Sequence, residues 1–284
     1  MRHSVVLVLS LLIAACSWSH KPLQPLEREA ADRALRTAGT QLHNDPASAS
    51  GTYLKALKQY RAMADIEGEL WSLSGIALSS RALKDSLAYL DSRERMDAIV
   101  KEISPDRDYI PLLLELQLAA ASSDWMHVSE LYRDNDSWPV IARLRILAYA
   151  IQAESLLGQD RSAHVKLALK LLRGQKRKLH RQGDLHALQI ARTRYALAYH
   201  YLIETDLNKA EKQLNQALEL DRLYGDFDAL GYDYWLLARI AIARGDTTTA
   251  RAQLLKAQRL FEGSAHAAMQ TRVATELLSL EKGE

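Results

Sequence analysis

Residues 194–220 read "RYALAYHYLIETDLNKAEKQLNQALEL" and residues 234–260 read "YWLLARIAIARGDTTTARAQLLKAQRL". Each opens on an apolar run of helical period, crosses a short polar turn, and closes on a second helical run that begins around an alanine. Residues 147–172, "LAYAIQAESLLGQDRSAHVKLALKLL", follow the same plan. Gly158, Thr205 and Gly245 each stand five positions before Ala163, Ala210 and Ala250, and Leu167, Leu214 and Leu254 follow four residues later on the same helix face. In the helix before the turn, Leu197, Ala198 and Tyr201 correspond to Leu237, Ala238 and Ala241. Self-similarity at this period predicts stacked helix pairs.

This pattern resembles the tetratricopeptide repeat, a helix–turn–helix unit with small residues where helices cross and larger apolar residues filling the grooves between them. The spacing between the alanines, 47 and then 40, exceeds the period of about 34 usual for that family, and no proline closes the units. The resemblance is clearest over residues 140–262. Upstream, Leu26–Leu42 reads as one helix, "NDPASASG" breaks it, and Tyr53–Ala64 forms the next. "LWSLSGIAL" opens a further one, and Asp124-Trp125 resembles a repeat turn. "GSAHAAMQTRVATELLSL" reads as a capping helix. No alternating strand pattern of useful length occurs. The expected fold is all-α: a right-handed α-solenoid of about six such pairs over residues 26–284, with a C-terminal capping helix.

The N-terminus points to export. Arg2 precedes an apolar segment of 12 residues, Ser4 to Ala15, too short for a membrane span and suited to a signal peptide. "LIAAC" ends this segment on Cys16, the one cysteine of the chain. In an oxidising compartment a lone thiol can form no internal disulfide. The stretch resembles the lipobox of bacterial lipoproteins, which implies cleavage after Ala15, lipidation of Cys16 and a tether over residues 16–25. Ser17 in place of an aspartate resembles the sorting signal for the outer membrane. The chain is then expected in the cell envelope, facing the periplasm.

Loss of residues 1–15 removes only Arg2, taking the formal net charge from +2 to +1. Catalytic signatures are missing from the sequence: it has no Gly-x-Ser-x-Gly elbow, no His-Glu-x-x-His and no phosphate loop. His164, His180, His186 and His200 are not spaced to place two ligands on one helical turn. We therefore expect neither enzymatic activity, nor a metal, nor a cofactor.

What remains is binding. Arg192, Tyr195 and Tyr199 share one helical stripe, and Tyr232, Trp235 and Arg239 repeat it one unit later. In tetratricopeptide proteins such first-helix positions line a concave groove, and Tyr, Trp and Arg dominate interface energetics. These six residues are expected to bind a protein or peptide partner, placing the protein in outer-membrane, pilus or cell-wall assembly. The alternative follows from charge. Residues 161–194 hold ten Lys/Arg against one acid, densest at Arg173, Lys176, Arg177, Lys178 and Arg181. This basic face could bind an anionic envelope polymer or regulate a cell-wall enzyme. Export argues against nucleic acid.

Overall fold

The computed structural model describes residues 26–42, 44–175, 184–264 and 266–282. The expected signal segment, Cys16 and the expected tether lie outside these residues, as do Lys176, Arg177, Lys178 and Arg181. Among the described residues every element is helical, and no strand occurs. The helices follow in six pairs and a last one: α1 (Leu26–Gln41) with α2 (Pro46–Ala62), α3 (Ile66–Leu83) with α4 (Ser86–Glu102), α5 (Tyr109–Ala121) with α6 (Trp125–Leu131), α7 (Val140–Leu157) with α8 (Ser162–Gln175), α9 (Asp184–Ile203) with α10 (Leu207–Tyr224), α11 (Phe227–Ala243) with α12 (Thr247–Gly263), and α13 (Ala267–Lys282). A 3-10 turn, Pro105–Arg107, precedes α5.

Six of the joints share one local design. A residue with positive φ ends the first helix, and an aspartate directly after it caps the next: Ala64-Asp65, Lys84-Asp85, Ser123-Asp124, Thr205-Asp206, Gly225-Asp226 and Gly245-Asp246. Each aspartate donates its backbone N–H to the carbonyl five residues back, as Asp206 does to Tyr201 at 2.9 Å. Its side chain accepts from the N–H three residues ahead, as Asp206 does from Lys209 at 3.1 Å. One dipeptide thus satisfies orphan carbonyls of one helix and an orphan N–H of the next.

Two expectations need correction. The chain does leave the helix before "NDPASASG", but the second helix starts at Pro46 and not at Tyr53, so most of that stretch opens α2: Asp45 accepts from the Ser48 N–H, and Pro46 occupies the first turn, where its missing N–H costs nothing. The repeat register at Ala163 is also wrong. Ala210 and Ala250 are fully buried, but Ala163 is exposed. After Gly158 comes Gln159 in place of aspartate, and Asp160 instead accepts from the Ser162 N–H. Helix α8 starts four residues after the positive-φ Gly158, where α10 and α12 start two after Thr205 and Gly245. Its buried stripe is Val165, Ala168, Leu172 and Gln175.

The odd-numbered helices form the inner row. Each from α1 to α9 touches the next odd helix, α1 to α3, α3 to α5, α5 to α7, α7 to α9 and α9 to α11, and also its sequence neighbours. Burial follows from this. Helix α3 buries ten residues, among them Leu70, Leu73, Ile76 and Ala77, while α4 buries only Ser92, Met96 and Ile99. An even helix needs one apolar stripe; an odd helix must be apolar on most sides. Backbones come close where glycine allows it. Tyr53 and Tyr60 of α2 lie on Gly75 and Gly68 of α3, where an added Cβ would stand 2.2 Å from either ring.

Candidate functional site

The two aromatic stripes do lie side by side, since α9 and α11 are successive members of the odd row. They meet each other more than they meet solvent. The Tyr195 and Tyr232 rings contact edge to face at 6.4 Å, and Tyr232 packs on Phe261 at 5.1 Å. Trp235 is only 4% exposed, so it cannot present its ring to a partner. Its indole N–H donates to both carboxylate oxygens of Glu276 on α13 at 3.0 Å. The guanidinium groups of Arg239 and Arg272 stand 5.2 and 4.5 Å from its ring centre, a favourable cation–π arrangement. Arg192 remains exposed, 3.9 Å from Asp226.

Above this buried tryptophan lies a cleft of about 510 Å³, lined by Tyr199, Leu202, Ile203, Arg239, Ile242, Ala243, Arg272 and Glu276. It sits where α9 and α11 end and α13 crosses them. Ile203 and Ile242 are each 41% exposed, unusual for isoleucines flanking one depression. Arg272 approaches Glu276 at 3.6 Å, while Arg239 makes no ion pair among the described residues. The cleft therefore offers apolar walls, a tyrosine hydroxyl and one uncompensated cation. Such a surface can hold an apolar side chain beside a carboxylate. Of the six stripe residues, Tyr199 and Arg239 reach it, Trp235 supports it from below, and Arg192, Tyr195 and Tyr232 do not line it. Sequence reading missed Arg272 and Glu276, four apart on the final helix, which looked like a cap alone.

A second cleft of about 600 Å³ lies between α8, the end of α9 and the start of α10, and includes Arg161, Lys166, Arg173, His200, Tyr201, Glu204 and Lys209. Arg161 is buried. It donates from Nε to His200 Nδ1 at 2.6 Å, to the Gln159 carbonyl at 3.0 Å, and to Glu204. Burial and the adjacent guanidinium lower the His200 pKa, so its ring is neutral and carries its proton on Nε2. Lys209 pairs with Asp206 at 2.6 Å. Lys166 and Arg173 are exposed cations at the rim, and Arg173 is the one described member of the five residues expected to bind anions.

Among the described residues no group of three His, Cys, Asp or Glu side chains is arranged to hold a metal ion. His164 instead pairs with Glu154 at 2.7 Å and packs on Tyr132. No helix among them is long and apolar enough to cross a membrane. No known family matches the chain, and no curated protein does either.

Proposed function

We propose that the chain is a lipid-anchored envelope adaptor that holds a partner polypeptide along its odd-helix row. In this reading the paired helices form a right-handed tetratricopeptide-like solenoid, tethered through Cys16 to the outer membrane and facing the periplasm. The role is binding, not catalysis. The observation that carries it is the cleft over Trp235: exposed Ile203 and Ile242 beside Arg239, which makes no ion pair among the described residues. The sequence "LIAAC" supports the anchor. Two acyl chains or more would hold the protein stably on a membrane, at about 0.8 kcal/mol per buried methylene.

Capture of the partner from detergent-solubilised membranes tests the binding role. Tyr199→Ala with Arg239→Ala should abolish capture and leave the helical circular dichroism unchanged; undiminished capture would refute the groove. Cys16→Ser tests the anchor, and should leave the protein unprocessed or release it from membranes.

The exposed Lys166 and Arg173 beside the second cleft favour one other reading, in which an anionic envelope polymer binds the basic face. Such binding would weaken steeply with salt, whereas capture through the cleft would persist.

A further inference from the structure

The second cleft lies where the aspartate joint is missing. Gln159 follows Gly158, and Arg161 takes over the closure. Its Nη1 donates to the Gln159 carbonyl at 3.0 Å, its Nη2 pairs with Glu204, and its Nε donates to His200 Nδ1 at 2.6 Å. The start of α8 is thereby tied to the end of α9. Beyond this tie α8 packs on α7 and only lightly on α9. The space left between α8, α9 and α10 is the open cleft of about 600 Å³, a size typical of small-molecule sites.

Its two ends differ in chemistry. At the Arg161 end stand a neutral donor and an acceptor. His200 lines the cleft and is 8% exposed. Arginine can only donate, so His200 Nδ1 carries no proton and Nε2 is an N–H donor. That donor has no acceptor among the described residues, yet it is not sealed from solvent. Glu204 spends Oε1 on Arg161; its side chain is half-exposed, and Oε2 meets no donor among the described residues. Sugar hydroxyls satisfy such a pair, each of them both donor and acceptor, whereas a bare anion would be repelled by Glu204.

The other end is cationic. Lys166, Leu169 and Arg173 follow at three and then four residues, on one face of α8 that lines the cleft. Lys166 and Arg173 are exposed and make neither ion pair nor hydrogen bond among the described residues. The remaining carboxylates of the cleft are engaged: Asp160 accepts from the Ser162 N–H, and Asp206 caps α10 and pairs with Lys209. Two uncompensated cations match a dianion. From Arg161 to Arg173 the cleft follows about 18 Å of helix, which leaves room for a sugar between the hydroxyl-binding end and the cationic one.

We infer that this cleft binds a phosphorylated sugar, with hydroxyls on the His200 Nε2–H and the Glu204 carboxylate, a ring face against Leu169, and the phosphate between Lys166 and Arg173. The inference rests on the basic-face reading and deepens it: the anionic polymer is a glycan bearing phosphate, held at one built site and not by net charge alone.

Glucose 1-phosphate, titrated by calorimetry into the full chain in detergent micelles, is the probe, with glucose and inorganic phosphate as separate arms. The sugar phosphate should saturate one site, and each half alone should bind at least about tenfold more weakly. Lys166→Gln should weaken binding about tenfold, whereas Lys170→Gln, at an exposed lysine of the same helix outside the cleft, should change nothing. The ring nitrogen resonances of His200 in the wild type should shift on saturation. Equal weakening by the two lysine variants, inorganic phosphate binding as tightly as the sugar phosphate, or an unmoved His200 signal would each overturn the inference. Dextran sulfate still retained by the chain in that case would leave the basic-face reading standing, and binding of neither ligand would remove both.

Discussion

Asp233 of α11 and Asp221 of α10 face one another within hydrogen-bonding reach, 1% and 2% exposed. Among the described residues no donor reaches the buried Asp221 Oδ1 or Asp233 Oδ2. Two ionised carboxylates in that position would repel without relief from water, so the pair holds a proton between its oxygens. Burial is the largest cause for both groups: it and the Asp226 charge raise Asp221 to about 7 against the hydrogen bond with Asp233, which lowers it, while burial and then Asp221 raise Asp233 to about 9.

The sign of the pH dependence follows. Below the ordinary carboxylate value both states are protonated and the pair costs nothing. As pH rises, the unfolded chain releases its protons first, and the folded chain binds more protons than the unfolded one. Stability therefore falls from about pH 4 upward until the folded pair has ionised near pH 9. Thermal melts from pH 5 to pH 9 should show this decline, and Asp233→Asn should flatten it. A melting temperature that climbs over that range would contradict the shared proton.

Trp235 and Tyr199 should separate cleanly. Trp235→Ala removes a buried ring from beneath the cleft and should cost about 3–5 kcal/mol in denaturant unfolding. Tyr199→Ala, at the cleft wall, should stay within about 1 kcal/mol while losing partner capture. Equal destabilisation by the two would place both rings in the core.

The α2–α3 contact offers a coupling test. Gly75→Ala forces a methyl toward the Tyr53 ring and should cost about 1–3 kcal/mol. Tyr53→Ala opens a cavity and should cost about 3–5 kcal/mol. The double substitution should cost less than the sum, since the new methyl enters the space the ring vacates. Simple additivity would mean the two residues do not touch.

The shifted register of α8 is also measurable. Ala210→Leu and Ala250→Leu overpack sealed crossings, at about 1–3 kcal/mol each. Ala163→Leu, on an exposed position, should fall within about 0.5 kcal/mol of wild type.

The helical period of 194–260 was readable because Ala210, Leu214, Ala217 and Ala250, Leu254, Ala257 are all buried residues of amphipathic helices. The same alignment failed at Ala163, since the burial of α8 depends on where Asp160 starts the helix, and a cap two residues late rotates the face. The joints themselves were legible in principle: an aspartate follows the turn residue at 65, 85, 124, 206, 226 and 246. The site was harder to see. A stripe of Tyr, Trp and Arg has the same spacing whether it faces a groove or a neighbouring helix, and only α13, arriving from distant sequence, buries Trp235 under Glu276 and Arg272.

Joints made of two residues leave no slack. Adding one residue between Thr205 and Asp206 would part the closing bond from the cap, and everything downstream would turn by about 100° about its helix axis, the angle between neighbours in a 3.6-residue turn. Segment 132–139, between α6 and α7, has no such dipeptide but is tied down in another way, by Asp134 on the buried Arg143 and by the buried Trp138. Engineered insertions, reporter fusions within the chain and permuted termini should fail at the aspartate joints.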